Sequence, residues 1–436
     1  MGEGRFTQAA VAWAGPVGVA DKDSMTDMIT NRRHRVLIIV ENLPVPFDRR
    51  VWSEATTLAA AGYDVSIICP KGKGATAAFE IIDGVHIFRH SLPIEARGGL
   101  GYIAEYGLAL FWEFVLSVKV LSRRGFDVIH ACNPPDLIFL IDGFYKYLFG
   151  KGFIFDHHDL NPELYEAKFG RKDAIWRALV ALERWTFAVA DLSIATNESY
   201  RAAAIARGRM APDRVFVVRS GPNLDRVRPV PEEPGWKRGR SFAVAYVGVI
   251  GPQEGLDLLL AAIRHIRIKQ RRDDMQFVIV GDGPALESVK KLSIDLRIDD
   301  MTTFTGRVDD ATLFSVLSTA DVCVNPDRPN AMNDKSTMNK IMEYMALGKP
   351  IVQFDLTEGR VSAGKASLYA RNTDVEDFGN KILELLDDPD QRRWMGELGR
   401  QRVAAELAWT HEAPKLLEAY AALFGTAAEG REVAYG

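Results

Sequence analysis

From Arg35 onward the chain repeats one rhythm: a short apolar run, then a stretch with helical patterning, then another run. RVLIIV comes first, then a helix over Val51–Ala61, then DVSIICP and GVHIFRH. A long helix near 101–122 leads to DVIHAC, and a helix near 135–149 leads to FIFDHHD. A helix near 174–189, DLSIAT and RVFVVRS complete this half. Strands that alternate with helices of this length imply βαβ crossovers and a mainly parallel sheet. The rhythm breaks once, in GPNLDRVRPVPEEPGWKRGRS at 221–241, whose Pro, Gly and charge mark a linker. It restarts with FAVAYVG, a helix near 256–269, FVIVGDG, a helix near 284–296 and MTTFTG. A helix near 310–318, DVCVNP, a short helix around Glu343 and PIVQFD follow, and the tail from about 374 to 427 reads as helical.

The expected architecture is therefore α/β, two tandem Rossmann-like domains facing a central cleft. The boundaries are a disordered tail over 1–33, a first domain over 34–225, a second over 226–405, and a C-terminal helix and tail over 406–436. Residues 8–20 imitate a weak signal peptide, but Arg5 is offset by Glu3 and Gly15-Pro16 breaks the apolar stretch. Open parallel sheets bind ligands at the carboxyl ends of their strands, so the cleft between domains is the default site.

Composition removes several classes. A net charge of −4 shows no basic excess for nucleic acid. Cys69, Cys132 and Cys323 form no CxxC and are odd in number, which argues for free thiols in a reducing compartment. The longest apolar stretches, near 107–121 and 137–155, are interrupted by Glu113, Lys119, Asp142, Lys146 and Lys151, so no membrane span is expected.

Five segments are candidates for chemistry. In ENLPVPFDRRVWSEA, Asp48 either caps the following helix or faces a ligand, and Arg49 and Arg50 either reach an anion or are solvated. In FDHHDLNPE a strand runs directly into His158 and Asp159, which then lie at the cleft; a structural histidine is the plainer alternative. His157 and His158 are adjacent and point to opposite faces, so they are poor joint metal ligands. In FVIVGDGPALESV, Gly281 and Gly283 allow a close backbone approach before a helix N-terminus, although such turns are common without ligands. In DDPD at 387–390 the acids read as helix caps rather than a metal site.

The fifth segment is NDKSTMNKIMEYMALGKPIV, residues 333–352. Ser336 or Thr337 is placed to cap a helix carrying Lys340 and Glu343, with Lys335 just before it. Helix-terminal amides and two cations suit an anion, and a carboxylate one turn further suits hydroxyls. A diphosphate beside a ribose has that pattern. A surface Lys340–Glu343 pair is the bland alternative.

Together these segments resemble the GT-B glycosyltransferases of family four, retaining enzymes that use nucleotide-sugar donors. The resemblance runs over 34–425 and rests on RVLIIVENLPVPFDRRVWSEATTLAAAGYDVSIIC, DHHDLNPE, AYVGVIGPQEGLDLLLAAI, VIVGDGP, FTGRV and KIMEYMALGKPIV. It implies that Glu343 binds ribose hydroxyls as the second acid of an E-x7-E motif, and that His158 lies beside the transferred sugar. It also implies that Gly248, Gly281 and Gly283 line the donor site and that Arg307 and Val308 approach the base. Three departures stand out. Lys335 replaces the first motif Glu, Val249 and Glu254 replace the usual diphosphate-holding cations, and FDRR replaces an N-terminal Gly-Gly turn. Lys335, with Lys340, Ser336 and Thr337, is expected to compensate from the other side of the diphosphate. Asp48, Arg49 and Asp159 are expected on the acceptor and sugar side.

The implied reaction is glycosyl transfer from a UDP- or GDP-type donor to an acceptor hydroxyl with retention, in envelope polysaccharide or glycolipid synthesis. No cofactor and no metal are expected, nor any nucleic acid. The helix near 101–122, with Tyr102, Tyr106, Phe111, Trp112 and Phe114 followed by Lys119, Arg123 and Arg124, reads either as a buried helix or as a membrane-surface helix for a lipid-linked acceptor. The expected location is cytoplasmic, at the inner face of the plasma membrane in the latter case. Two alternatives keep the fold: a nucleotide-sugar epimerase, and an inactive nucleotide-sugar-binding relative.

Overall fold

The computed structural model describes residues 33–72, 74–91 and 98–433, with side-chain environments for these except 98–105 and 426–433. The expected tail over 1–33 and the Tyr102 side chain thus lie outside the described residues, apart from Arg33. Arg35–Ile39 forms strand β1 between parallel neighbours β2 (Asp64–Pro70) and β5 (Val128–Cys132). Its near-continuous burial follows from helices on both faces of the sheet. The sheet continues through β6 (Gly152–His157), β7 (Leu192–Ala195) and β8 (Val215–Val217), all parallel. On the other edge lie β4 (Val85–His90) and the antiparallel β3 (Phe79–Ile82). The strand order is β3-β4-β2-β1-β5-β6-β7-β8. The sequence reading did not include β3. Its signal was the Asp83-Gly84 pair, both at positive φ (48° and 78°) as a two-residue hairpin turn demands.

The second domain is a six-stranded parallel sheet: β9 (Phe242–Val247), β10 (Met275–Val280), β11 (Thr302–Gly306), β12 (Val322–Asn325), β13 (Ile351–Phe354) and β14 (Ser367–Ala370), in the order β11-β10-β9-β12-β13-β14. Helices Leu256–Ile268 and Val375–Asp387 cover one face, and helix Asn339–Ala346 packs on the other. Strand β14 and the helices Asn161–Phe169, Glu198–Ala206 and Thr357–Ala363 were not separately expected. All three cysteines are free and buried.

The C-terminal segment does not stand apart. Helix Trp409–Val433 returns to the first domain, where Leu416, Ala419, Tyr420 and Leu423 join the core with Val36, Ile38 and Val128. Trp409 Nε1 donates to Thr57 Oγ1 at 2.9 Å, and Tyr420 Oη lies 2.9 Å from His130 Nδ1. The chain therefore crosses between domains twice, through the linker and again before Trp409.

Candidate functional site

The carboxyl ends of both sheets open on one interdomain space, and several contacts span it. Lys335 Nζ lies 2.9 Å from Glu163 Oε1 of the first domain. Asn197 Nδ2 donates to the Lys335 carbonyl at 2.8 Å and to Thr337 Oγ1 at 2.9 Å. Arg49 Nη2 pairs with Asp310 Oδ1 at 2.7 Å, and the Arg307 guanidinium stacks on Phe47 with 3.9 Å to the ring centre.

On the first-domain side, Asp48 accepts from the Val51 amide at 3.1 Å and so starts helix Arg49–Ala60. The cap reading is the one the structure supports. One turn apart on that helix, Arg50 and Glu54 point inward, 3.1 Å from each other. Arg50 also holds Asp156, at the end of β6, through Nη2 at 2.8 Å. His158 Nε2 makes a short contact with Asp156 Oδ2 and lies 3.0 Å from Arg50 Nε. Burial pushes the Asp156 carboxyl up, but Arg50 and then His158 outweigh it and hold it well below its ordinary range. Burial, by contrast, pushes Glu54 well up. His157 is fully buried 3.3 Å from Glu183, while His158 keeps 16% of its side chain exposed, as opposite pointing requires. The backbone N–H groups of His158 and Asp159 both donate to Asn133 Oδ1, at 2.7 and 3.1 Å, which fixes this turn.

Among the described residues two groups have metal-ligand chemistry: His130, Cys132 and Asp156, and Glu54, Asp156 and His158. The Arg50 guanidinium already sits on Asp156, Glu54 and His158, so the cation of this cluster is a side chain.

On the second-domain side, helix Asn339–Ala346 begins later than expected. Its N-cap is Met338, with no side-chain cap. Ser336 and Thr337 are therefore not caps: Ser336 Oγ donates to the Met332 carbonyl at 2.8 Å, and Thr337 meets Asn197. Nor do Lys340 and Glu343 pair with each other. Lys340 Nζ lies 2.9 Å from Asp327 Oδ1 and 3.4 Å from Glu254 Oε2, and 4.8 Å from the Tyr246 ring centre. Glu343 Oε1 accepts from Arg226 Nη2 at 2.7 Å. Burial raises the Glu343 carboxyl and Arg226 opposes this. Lys335 and Lys340, expected to face the diphosphate, are thus both engaged by carboxylates here: Lys335 by Glu163, and Lys340 by Asp327 and Glu254.

The glycines serve the loops themselves. A Cβ on Gly281 (φ 140°) would stand 1.8 Å from the Gly248 carbonyl, and one on Gly283 would stand 2.6 Å from that of Ile250. The loops after β9 and β10 are also bonded through Gly248 N to the Val280 carbonyl and Ile250 N to that of Asp282, at 3.1 and 3.0 Å. Val249, where a cation was expected, is 57% exposed, and Val308 packs on the second core.

A cavity of about 210 Å³ brings the two sides together. Arg49, Arg50, Trp52, Arg226, Asn339 and Glu343 are among its lining residues. Sequence reading missed Arg226 because it lies in the linker, and Asp156 because it sits inside the β6 apolar run. Asp327, two residues past the end of β12, carried the strand-end signal but no motif.

The model for Glycosyltransferase Family 4 matches residues 48–226, and that for Glycosyl transferases group 1 matches 241–388. Together the matches take in most of the chain. The chain belongs to the family-four glycosyltransferases. A relative in Mycobacterium tuberculosis, "GDP-mannose-dependent alpha-(1-6)-phosphatidylinositol monomannoside mannosyltransferase", is 31% identical over 207 residues, 45% of this chain and 53% of that protein. The "Probable glycosyltransferase WbjE" of Pseudomonas aeruginosa is 28% identical over 59% of this chain and 64% of its own. This family member thus spans about half to two thirds of the length of these curated relatives. Among solved structures, sucrose-phosphate synthase of Thermosynechococcus elongatus superposes with a TM-score of 0.74 at 20% identity, covering 90% of this chain and 100% of that one. HepE of Anabaena in complex with UDP-glucose gives 0.67 at 14% identity, covering 89% and 100%. These likenesses establish the GT-B fold.

Proposed function

We propose that the protein transfers a hexosyl-type sugar from a nucleoside-diphosphate donor to an acceptor hydroxyl, with retention, in synthesis of a cell-envelope glycolipid or polysaccharide. The observation that carries this is the shared cavity: it is lined by Glu343, the acid assigned to ribose, and by Arg50, whose Nε lies 3.0 Å from His158 Nε2. The solved neighbour with UDP-glucose and the mannosyltransferase relative support a nucleotide-sugar donor. His158 is assigned to the sugar, Glu343 to the pentose, and the Gly248 and Gly281 loops with Lys340 to the diphosphate. The leaving phosphate itself takes the acceptor proton, so the protein supplies position and charge.

An acceptor on a lipid surface fits the outer face of the first domain. No described helix is long and apolar enough to cross a membrane. Yet Phe111, Trp112 and Val118 of helix Gly98–Arg123 and Tyr147 and Leu148 of helix Phe139–Phe149 are exposed, on helices that touch through Phe114 and Phe144. An exposed apolar surface of this kind needs a cover, and a bilayer interface provides one.

The test is a thermal-shift screen of UDP, GDP and their sugars, followed by transfer to lipid-linked and soluble acceptors with the anomeric configuration of the product read by NMR. A raised melting temperature and a retained product are expected. Sugar isomerisation without an acceptor would make it an epimerase. Binding without transfer would make it an inactive relative, a reading the neutralised Lys340 favours.

A further inference from the structure

Arg226 belongs to no motif and to neither sheet. It stands in the linker, yet its guanidinium is the direct partner of the acid assigned to the pentose. Nη2 donates to Glu343 Oε1 at 2.7 Å, and Nη1 donates to Asp310 Oδ2 at 3.1 Å. The same guanidinium lies 5.3 Å from the Phe314 ring centre, which keeps its plane in place. The second oxygen of Asp310 takes Arg49 Nη2 from the first domain at 2.7 Å. Arg49, Asp310, Arg226 and Glu343 thus form one chain of ion pairs, with members from the first domain, the linker and the second domain.

The physical need for such a partner is clear. The Glu343 side chain is only 20% exposed. A carboxylate in that setting is disfavoured unless a cation faces it. Without one its protonated form is favoured, and a protonated carboxyl has less capacity to accept from two vicinal hydroxyls. Arg226 occupies one oxygen and leaves the other for a ligand. The fork of Arg gives one N–H to Glu343 and another to Asp310, so it fixes the two carboxylates relative to each other, which a point charge does not.

Resting on the donor reading above, we propose that Arg226 is a positioning residue for the donor pentose: it holds Glu343 charged and aimed at the ribose hydroxyls, and through Asp310 and Arg49 it ties that aim to the first domain.

The experiment measures binding by calorimetry of UDP, GDP and the 2′-deoxy form of whichever binds more tightly. The chains are native, E343Q, R226A, R226K and the R226A/E343Q double variant. The native chain is expected to prefer the ribonucleotide about tenfold or more, the worth of one hydrogen bond to a charged group. E343Q and R226A are each expected to lose that preference, with the deoxynucleotide affinity little changed. The double variant is expected to be no weaker than E343Q, and R226K to restore part of the preference. A linker staple with no role at the pentose would weaken both nucleotides equally, so R226A keeping the preference overturns the proposal. If E343Q keeps the preference, the donor reading itself fails, a separate result. Should R226A lose its native melting transition, R226Q, which keeps a polar side chain in the linker, decides by the same criterion.

Discussion

Lys340 Nζ stands 2.9 Å from Asp327 Oδ1, with 10% and 0% of the two side chains exposed. The helix cation assigned to the diphosphate is therefore balanced before a donor arrives, and Glu254 adds a second acid at 3.4 Å. Removing either member of so buried a pair leaves an uncompensated charge.

On the proposed donor assignment, this arrangement should make donor binding depend on pH. Burial pushes the Glu254 carboxyl up to about 7, with Lys340 opposing and Asp327 adding to the rise. Below that value Glu254 carries a proton and Lys340 answers to Asp327 alone. Above it a second negative charge competes with the diphosphate. Affinity for a nucleotide sugar, whose diphosphate has no proton to titrate in this range, should fall as pH rises from 6 to 8. The limit is about tenfold per pH unit. Glu254→Gln should flatten that profile and bind more tightly at pH 8. A native profile already flat would remove Glu254 from the donor site.

Lys335 bridges the domains rather than standing free. If its work is to hold the domains together, Glu163→Gln should reproduce the phenotype of Lys335→Ala, because each breaks the same 2.9 Å pair. Glu163 keeps Arg207 at 2.8 Å in that variant, so the fold should survive. A donor KM raised several-fold in Lys335→Ala but unchanged in Glu163→Gln would instead put Lys335 on the donor.

Far from the cleft, Glu113 and Asp142 are buried without a hydrogen-bond partner. Burial pushes Glu113 up to about 8, and burial followed by Glu113 pushes Asp142 well up. The sign follows: the unfolded chain releases these protons near its ordinary carboxyl range, while the fold keeps them. The cost is absent below about pH 4, grows as pH rises, and is complete for Glu113 only past pH 8. Glu113→Leu should therefore leave stability near pH 4 little changed and raise it by roughly 2–4 kcal/mol at pH 8. Denaturant midpoints of both chains across that range check it; a constant difference would contradict it.

Gly281 is the position where a methyl group should do most harm to the loops after β9 and β10, proposed above to hold the diphosphate. The 1.8 Å approach to the Gly248 carbonyl forces the loops after β9 and β10 apart. Gly281→Ala should cost roughly 1–3 kcal/mol and abolish nucleotide-induced stabilisation. Melting curves with and without UDP or GDP measure both effects. Gly62→Ala, strained at φ 91° but with open space around it, controls for backbone strain alone.

Much of the architecture was legible because it rests on local periodicity. Apolar runs such as RVLIIV and FVIVGDG can be satisfied only by strands covered on both faces, and the helices between them dictate parallel pairing. The helix at 174–189 has the bounds its pattern gave, Ala174–Val189. The hairpin strand Phe79–Ile82 escaped because half of it faces solvent and its apolar run is short.

The sequence by itself determined two domains of largely parallel strands and the linker between them. Only the tertiary structure decided which charge answers which. Arg226 reaches Glu343 across 117 positions, Arg50 reaches Asp156 across 106, and Lys335 reaches Glu163 across 172. The reason is physical. Periodicity fixes which face a side chain takes within its own element. An ion pair depends on the packing of elements distant in the chain, where burial raises the cost of every unpaired charge until a partner is found.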